Sequence, residues 1–256
     1  MSESNARMQP EGRPNPLGGF RNNTCRTSYV SNVKAVILDI DGTLLASNDA
    51  HAFAFKEAAA TLGVEADLNQ IRRLIGKGSD KLIPEAFGFE AESEWGKKLD
   101  DLKGKIFRAH YLPSLLPTLG ARPLLIRLLN DDKKLVVATS AGKEDVLALL
   151  QQAGVSDLIE NSTSADEAES SKPDPDILEA ALKKTGEDPH NAVMIGDTPY
   201  DVEAARRAGI PIIAVRCGGW KDRDLEGAAG VYEDPADILA NYDQVFQGEI
   251  MAGGTR

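Results

Sequence analysis

The sequence predicts an α/β fold: a doubly wound parallel-sheet core carrying an inserted α-helical cap. Three observations carry that expectation. Apolar runs of strand length recur at 34–40 (KAVILDI), 134–140 (KLVVATS), 191–197 (NAVMIGD) and 210–217 (IPIIAVRC). They lack polar alternation, as strands covered on both faces do. Helix-patterned segments separate the later runs at 144–154, 174–186 and 201–209, each closed by a glycine suited to a left-handed C-cap. Alternation of this kind builds right-handed βαβ units. Between the first and second runs, residues 50–119 read as helix throughout, with no strand pattern. One crossover needs far less chain.

In chain order, residues 1–32 are rich in Asn, Arg, Pro, Gly and Ser and read as a disordered tail. Residues 33–48 and 120–256 supply the expected core, and 49–119 the cap. A weaker strand is expected around Leu158 and Ile159. No repeat or heptad pattern is visible.

The 256 residues carry a formal charge of −11. That balance argues against nucleic acid or an anionic membrane as partner, since both require a basic face. No apolar stretch approaches the roughly 20 residues of a membrane span, and the N-terminus lacks the apolar centre of a secretory signal. Two cysteines, Cys25 and Cys217, are too few for a disulfide framework, so a reducing cytoplasm is expected.

Polar groups punctuate the strand ends. They are Asp39-Ile40-Asp41-Gly42-Thr43, then Thr139-Ser140, then Gly196-Asp197 with Asp201, while Lys172 sits in SSKPDPD. Ligands of open α/β sheets bind outside the carboxyl ends of strands, so these groups are expected to converge. Carboxylate and carbonyl oxygens suit a hard cation such as Mg²⁺, which takes phosphate oxygens as further ligands. Lysine and hydroxyl groups suit phosphate oxygens. Asp39 could attack phosphorus, and Asp41 could protonate a leaving oxygen and later deprotonate water.

DIDGT at 39–43, Thr139, Lys172 and GDTPYD at 196–201, in that order, resemble the four motifs of the haloacid dehalogenase-like superfamily of phosphotransferases. The resemblance runs from about residue 33 to 245. It implies a Rossmann-like core, with Asp39 as nucleophile and Asp41 as general acid and base. Mg²⁺ would be held by the Asp39 carboxylate, the Asp41 main-chain carbonyl and Asp197, with Asp201 in support. Thr139 and Lys172 would bind the transferring phosphoryl group, with Ser140 as a neighbouring hydroxyl. The insertion resembles the helical cap of the phosphoglycolate phosphatase and β-phosphoglucomutase branch. The expected activity is hydrolysis of a small phosphorylated metabolite through an aspartyl-phosphate.

Other readings stand beside these. Asp41-Gly42 alone would be a turn pair, and Asp201 reads equally as a helix cap and as metal support. His51 could lie near the hinge or simply start a helix. In IGKGSDK (75–81), Gly76 and Gly78 free a loop to approach substrate and Lys77 could meet an anionic group; a plain turn is the alternative. A sugar phosphomutase of the β-phosphoglucomutase type is the rival enzyme. Relatives of that type carry an arginine in this loop where Ser79 stands here. A dehalogenase would lack the second aspartate that Asp41 supplies. The rival from another class is a non-catalytic protein that binds phosphorylated metabolites.

Overall fold

The computed structural model describes residues 32–246 apart from residue 168. The expected tail and Cys25 lie outside these residues, save Asn32. The first strand, β1 (Ala35–Leu38), is followed by helices α1 (Asn48–Thr61), α2 (Leu68–Leu74), α3 (Ser79–Phe87) and α4 (Glu94–Ile106). Next come α5 (Ala121–Asn130), β2 (Lys134–Ala138), α6 (Lys143–Gln152), β3 (Asn161–Thr163) and α7 (Asp176–Thr185). The chain continues through β4 (Ala192–Gly196), α8 (Pro199–Ala208), β5 (Ile212–Val215), β6 (Gly230–Tyr232), α9 (Pro235–Ala240) and α10 (Tyr242–Phe246).

The strands form one sheet in the order β3-β2-β1-β4-β5-β6, with every pairing parallel. The unbroken apolar runs follow from two covered faces. Successive strand side chains point to opposite sides. Val36, Leu38, Val137, Val193 and Ile195 therefore enter one buried cluster, while Ala35, Ile37, Val136, Ala192 and Met194 enter another on the far face. Each fully buried Val, Leu or Ile contributes about 1.5–3 kcal/mol relative to exposure.

The edges differ from expectation. The weak outer strand begins at Asn161 rather than at Leu158–Ile159, and β6 was not anticipated. Both are three residues long, too short for a hydrophobic pattern to declare itself. Helix α5 was also unanticipated. It buries Leu124, Leu125 and Leu128 but leaves Ile126 and Leu129 exposed, which blurs its periodicity. Gly186 and Gly209 close α7 and α8 in the left-handed conformation as expected.

Helices α1–α4 bury a third cluster of their own, built on Ala52, Phe55, Ala59, Ile71, Leu82 and Leu99. The two chain segments joining them to the sheet run side by side. Ala46 N donates to Leu116 O at 3.0 Å, and Thr118 N to Leu44 O at 3.0 Å. The Thr118 hydroxyl adds a bond of 2.6 Å to Thr43 O. Among the described residues, no helix is long and apolar enough to cross a membrane.

Candidate active site

The central strands β1 and β4 are neighbours, and the winding of the sheet reverses between them. A crevice at such a reversal is where open α/β sheets place ligands. Asp39 follows β1 directly and its main-chain N–H donates to Ile195 O at 3.0 Å, which anchors it beside β4. Asp197 follows β4, and Thr139 follows β2. Asp201 lies in the first turn of α8. Its carboxylate accepts from Thr198 N at 3.0 Å and from the Thr198 hydroxyl at 2.7 Å, and the Thr198 hydroxyl accepts in return from Asp201 N. This is a capping box. The other Asp201 oxygen faces Lys172 Nζ at 2.8 Å, so one carboxylate oxygen caps α8 while the other meets the lysine.

Lys172 reaches from the loop before α7 to bind Asp39 Oδ1 at 2.5 Å. It is 1% exposed, and Asp39, Asp197 and Asp201 are buried as well. The three carboxylates each offer an oxygen within 4.8 Å of the others. One ammonium cannot neutralise three carboxylates in a dry site. Burial first, and then the charges of Asp201 and Asp41, push the Asp39 carboxyl up to about 7 despite Lys172. Burial and the charges of Asp39 and Asp201 likewise push Asp197 up. Burial works against the Lys172 ammonium, but Asp201 and Asp39 outweigh it and hold its pKa above the usual lysine value.

Asp41 has different surroundings. Its carboxylate accepts from the Ser47 hydroxyl at 2.5 Å and meets His51 Nε2 at 2.8 Å. The His51 ring stacks on Phe107 at 3.9 Å between centroids. Burial works to raise the Asp41 pKa, yet His51, Ser47 and Lys103 together bring it down to about 2. Burial itself favours neutral His51, so near neutral pH the imidazole serves Asp41 chiefly as an N–H donor.

Sequence reasoning missed the groups that hold Asp197. Asn48 Nδ2 donates to its Oδ2 at 2.8 Å and to Gly218 O at 3.1 Å, and the Thr43 hydroxyl donates to Oδ1 at 3.1 Å. Thr43 stood inside the DIDGT motif, but nothing local marks Asn48 as a partner 149 positions away. Two glycines make room for this carboxylate. A Cβ on Gly218 would sit 1.7 Å from Asp197 Oδ2, and one on Gly42 would sit 2.3 Å from it. Gly42 also has φ +84°, which other residues adopt at a penalty. The crowded oxygens, their shortage of positive charge and the space kept around Asp197 fit a hard divalent cation.

A family model for haloacid dehalogenase-like hydrolases matches residues 36–215. The phosphoglycolate phosphatase of Rhodospirillum rubrum is 31% identical over 80% of this chain and 89% of its own. The chain belongs to the haloacid dehalogenase-like hydrolase family. It is an enzyme of the phosphoric monoester hydrolase class. A hydrolase from Pseudomonas syringae superposes with a TM-score of 0.78 at 29% identity, covering 83% of this chain and 99% of that one. A β-phosphoglucomutase candidate from Bacteroides vulgatus gives 0.73 at 25%, covering 84% and 89%.

In this haloacid dehalogenase-like hydrolase a cavity of about 210 Å³ lies between helices α1–α4 and the sheet. Asp39, Asp41, Thr139 and Ser140 line its core side, and His51 of α1 lines it beside them. Thr139 is fully buried, and its Oγ1 accepts from Ala141 N at 3.1 Å. The Ser140 hydroxyl donates to Gly76 O at 3.1 Å, so the glycine loop does reach the strand ends. Lys77 lines the wall, but its ammonium pairs with Glu85 and lies 4.9 Å from the Tyr200 ring centroid. Ser79 donates to Asp100 at 2.7 Å. Lys103 and Arg108, which sequence reasoning did not single out, also line the cavity. Arg108 is paired with Asp145 at 2.7 Å. Lys103 lies over the Phe55 and Phe107 rings at 5.0 and 5.7 Å, and no ion pair holds it among the described residues.

Proposed function

We propose that the chain is a cytoplasmic, Mg²⁺-dependent phosphatase that hydrolyses a small phosphorylated metabolite through an Asp39 phospho-enzyme. The observation that carries this reading is Asp39 itself: a buried carboxylate held by Lys172 at 2.5 Å on the wall of a cavity. Mg²⁺, when bound by Asp39, Asp197 and the Asp41 carbonyl with Asp201 in support, would supply the missing positive charge and draw in phosphate oxygens.

In the first step an Asp39 oxygen attacks phosphorus and the bond to the leaving oxygen breaks. Asp41 delivers a proton to that oxygen. In the second step Asp41 takes a proton from water as the water attacks the same phosphorus. The bond to Asp39 then breaks, releasing phosphate and restoring the carboxylate. Ser47 and His51 keep Asp41 ionised in the free enzyme, as the second step needs. A phosphomonoester, with a second pKa near 6, can bring in the proton that the first step consumes. Thr139 and Lys172 hold the transferring group, and Lys172 offsets repulsion between phosphate and Asp39. Ser140 ties the cap loop to this site while its hydroxyl is engaged by Gly76, and it joins the phosphate contacts if that bond opens. Residues 49–119 act as the cap that excludes water during transfer.

The small cavity and the unpaired Lys103 support a compact substrate with a second anionic group. Phosphoglycolate, the substrate named for several relatives, has that form. Lys77 is a weaker candidate for this contact because Glu85 holds its charge. At Ser79 no cation stands to bind a sugar phosphate, which favours hydrolysis over the mutase reading. The test is phosphate release from phosphoglycolate, hexose phosphates and nucleotides, with and without Mg²⁺. Mg²⁺-dependent release fastest from phosphoglycolate is expected. Isomerisation of a hexose phosphate outpacing phosphate release would overturn the assignment, and inactivity on the whole panel would point to a non-catalytic binding protein.

A further inference from the structure

A second concavity, of about 720 Å³, opens where α2 meets the loop after β5. It shares no lining residue with the catalytic cavity. Four cations line it: Arg72 and Arg73 from α2, and Lys221 and Arg223 from the loop. Against them stand two acids, Asp49 and Asp224. In a chain of formal charge −11, a concavity with a net excess of two positive charges is a local inversion.

The cations are unequally committed. Arg72 binds Asp49 and Gly218 O, both at 2.5 Å. Arg223 lies 3.6 Å from Asp224, a loose contact on the surface. Arg73 and Lys221 have no ion pair among the described residues. At the concavity's inner wall lies Asn48, 4% exposed. Its Nδ2 is spent on Asp197 and Gly218 O, which fixes the orientation of the amide. Its Oδ1 is left buried without a donor, a condition that buried acceptors rarely tolerate.

We propose that this concavity binds a phosphate-type dianion. Arg73, Lys221 and Arg223 take its negative oxygens. Free hydrogen phosphate has this chemistry, as does the terminal phosphate of a nucleotide whose base would lie against Trp220. The site spans α2 on one side and residues 220–224 on the other, with Asn48, bonded to Asp197, at its inner wall. An occupant therefore draws the helical insertion onto the sheet. This inference stands apart from the catalytic reading, because Arg73, Lys221 and Arg223 take no part in the proposed reaction.

The chain has two tryptophans, and Trp95 is 51% exposed, so W95F leaves Trp220 as sole fluorescent reporter beside the site. W95F is titrated without Mg²⁺ with inorganic phosphate and, in a separate arm, ADP, at constant ionic strength. A saturable change in Trp220 emission is expected. Adding R73A and R223A should weaken apparent affinity at least about tenfold, the loss of one or more charged hydrogen bonds, with an unchanged melting temperature. A tighter response to ADP assigns a nucleotide, and an equal response assigns the bare phosphate group. No saturable change with either anion overturns the proposal. So does a response that survives R73A/R223A, which would place the anion in the catalytic cavity.

Discussion

Lys172 shows how a single side chain sets the character of the carboxylate cluster. It is the one cation bonded to Asp39 and Asp201 among the described residues, and it is almost fully buried. Lys172→Met keeps the volume and removes the charge, leaving three carboxylates crowded without a counter-ion. Breaking a buried pair in this way costs about 3–5 kcal/mol. Urea unfolding of the metal-free variant should show a loss of that order, and an unchanged midpoint would mean that the cluster tolerates its own repulsion. In the proposed function Lys103 makes the complementary case at the substrate end of the cavity. Lys103→Met should raise KM for phosphoglycolate by about tenfold, the weight of one charge-assisted contact. KM for p-nitrophenyl phosphate, which lacks a second anionic group, should barely move. Equal effects on both substrates would remove Lys103 from specificity.

At the scale of elements, the loops after β1 and β5 do as much as the strands. Gly42 and Gly218 let Asn48 and Asp197 meet in a space that any Cβ would fill. G218A should therefore displace the Asp197 carboxylate and lower kcat/KM by about 100-fold, as a displacement near 1 Å can, while circular dichroism retains the native spectrum. Activity within twofold of the parent would show that Asp197 has freedom the packing denies it. The same loops explain what the sequence could and could not tell. The strand ends were legible because Ala35–Leu38 and Ala192–Gly196 are apolar on both faces, and topology then fixes where Asp39 and Asp197 emerge. The partnership of Asn48 with Asp197, and of Ser47 and His51 with Asp41, was not legible in that way. It depends on how α1 leaves the sheet, a tertiary fact with no local pattern. His51 in particular read equally well as an ordinary helix-start residue, yet it contacts Asp41 at 2.8 Å. Strand β6 and helix α5 were missed for the humbler reasons of length and a two-sided apolar pattern.

For the whole molecule, the buried acids link folding to protons and, in the proposed reading, to metal. Asp39 is pushed up to about 7 from an ordinary value of 3.8, so between those values the folded chain holds a proton that the unfolded chain has lost. Stability from this group is full below about pH 4 and declines as pH rises towards 7. Asp197 shifts in the same direction. Asp41, brought down to about 2, acts below that window. In the proposed reading a divalent cation would take the place of the lost protons, so Mg²⁺ should raise the melting temperature more at pH 8 than at pH 5. Equal increments at the two pH values would separate the metal from this cluster. The predictions about turnover rest on Asp39 as the attacking group. The most direct test is to mix enzyme, Mg²⁺ and phosphoglycolate, quench with acid within milliseconds, and map the peptides by mass spectrometry. One added phosphoryl group on Asp39 is expected, with no adduct and no turnover in Asp39→Asn. Steady turnover in that variant, or a phosphoryl group found on another residue, would contradict that role for Asp39.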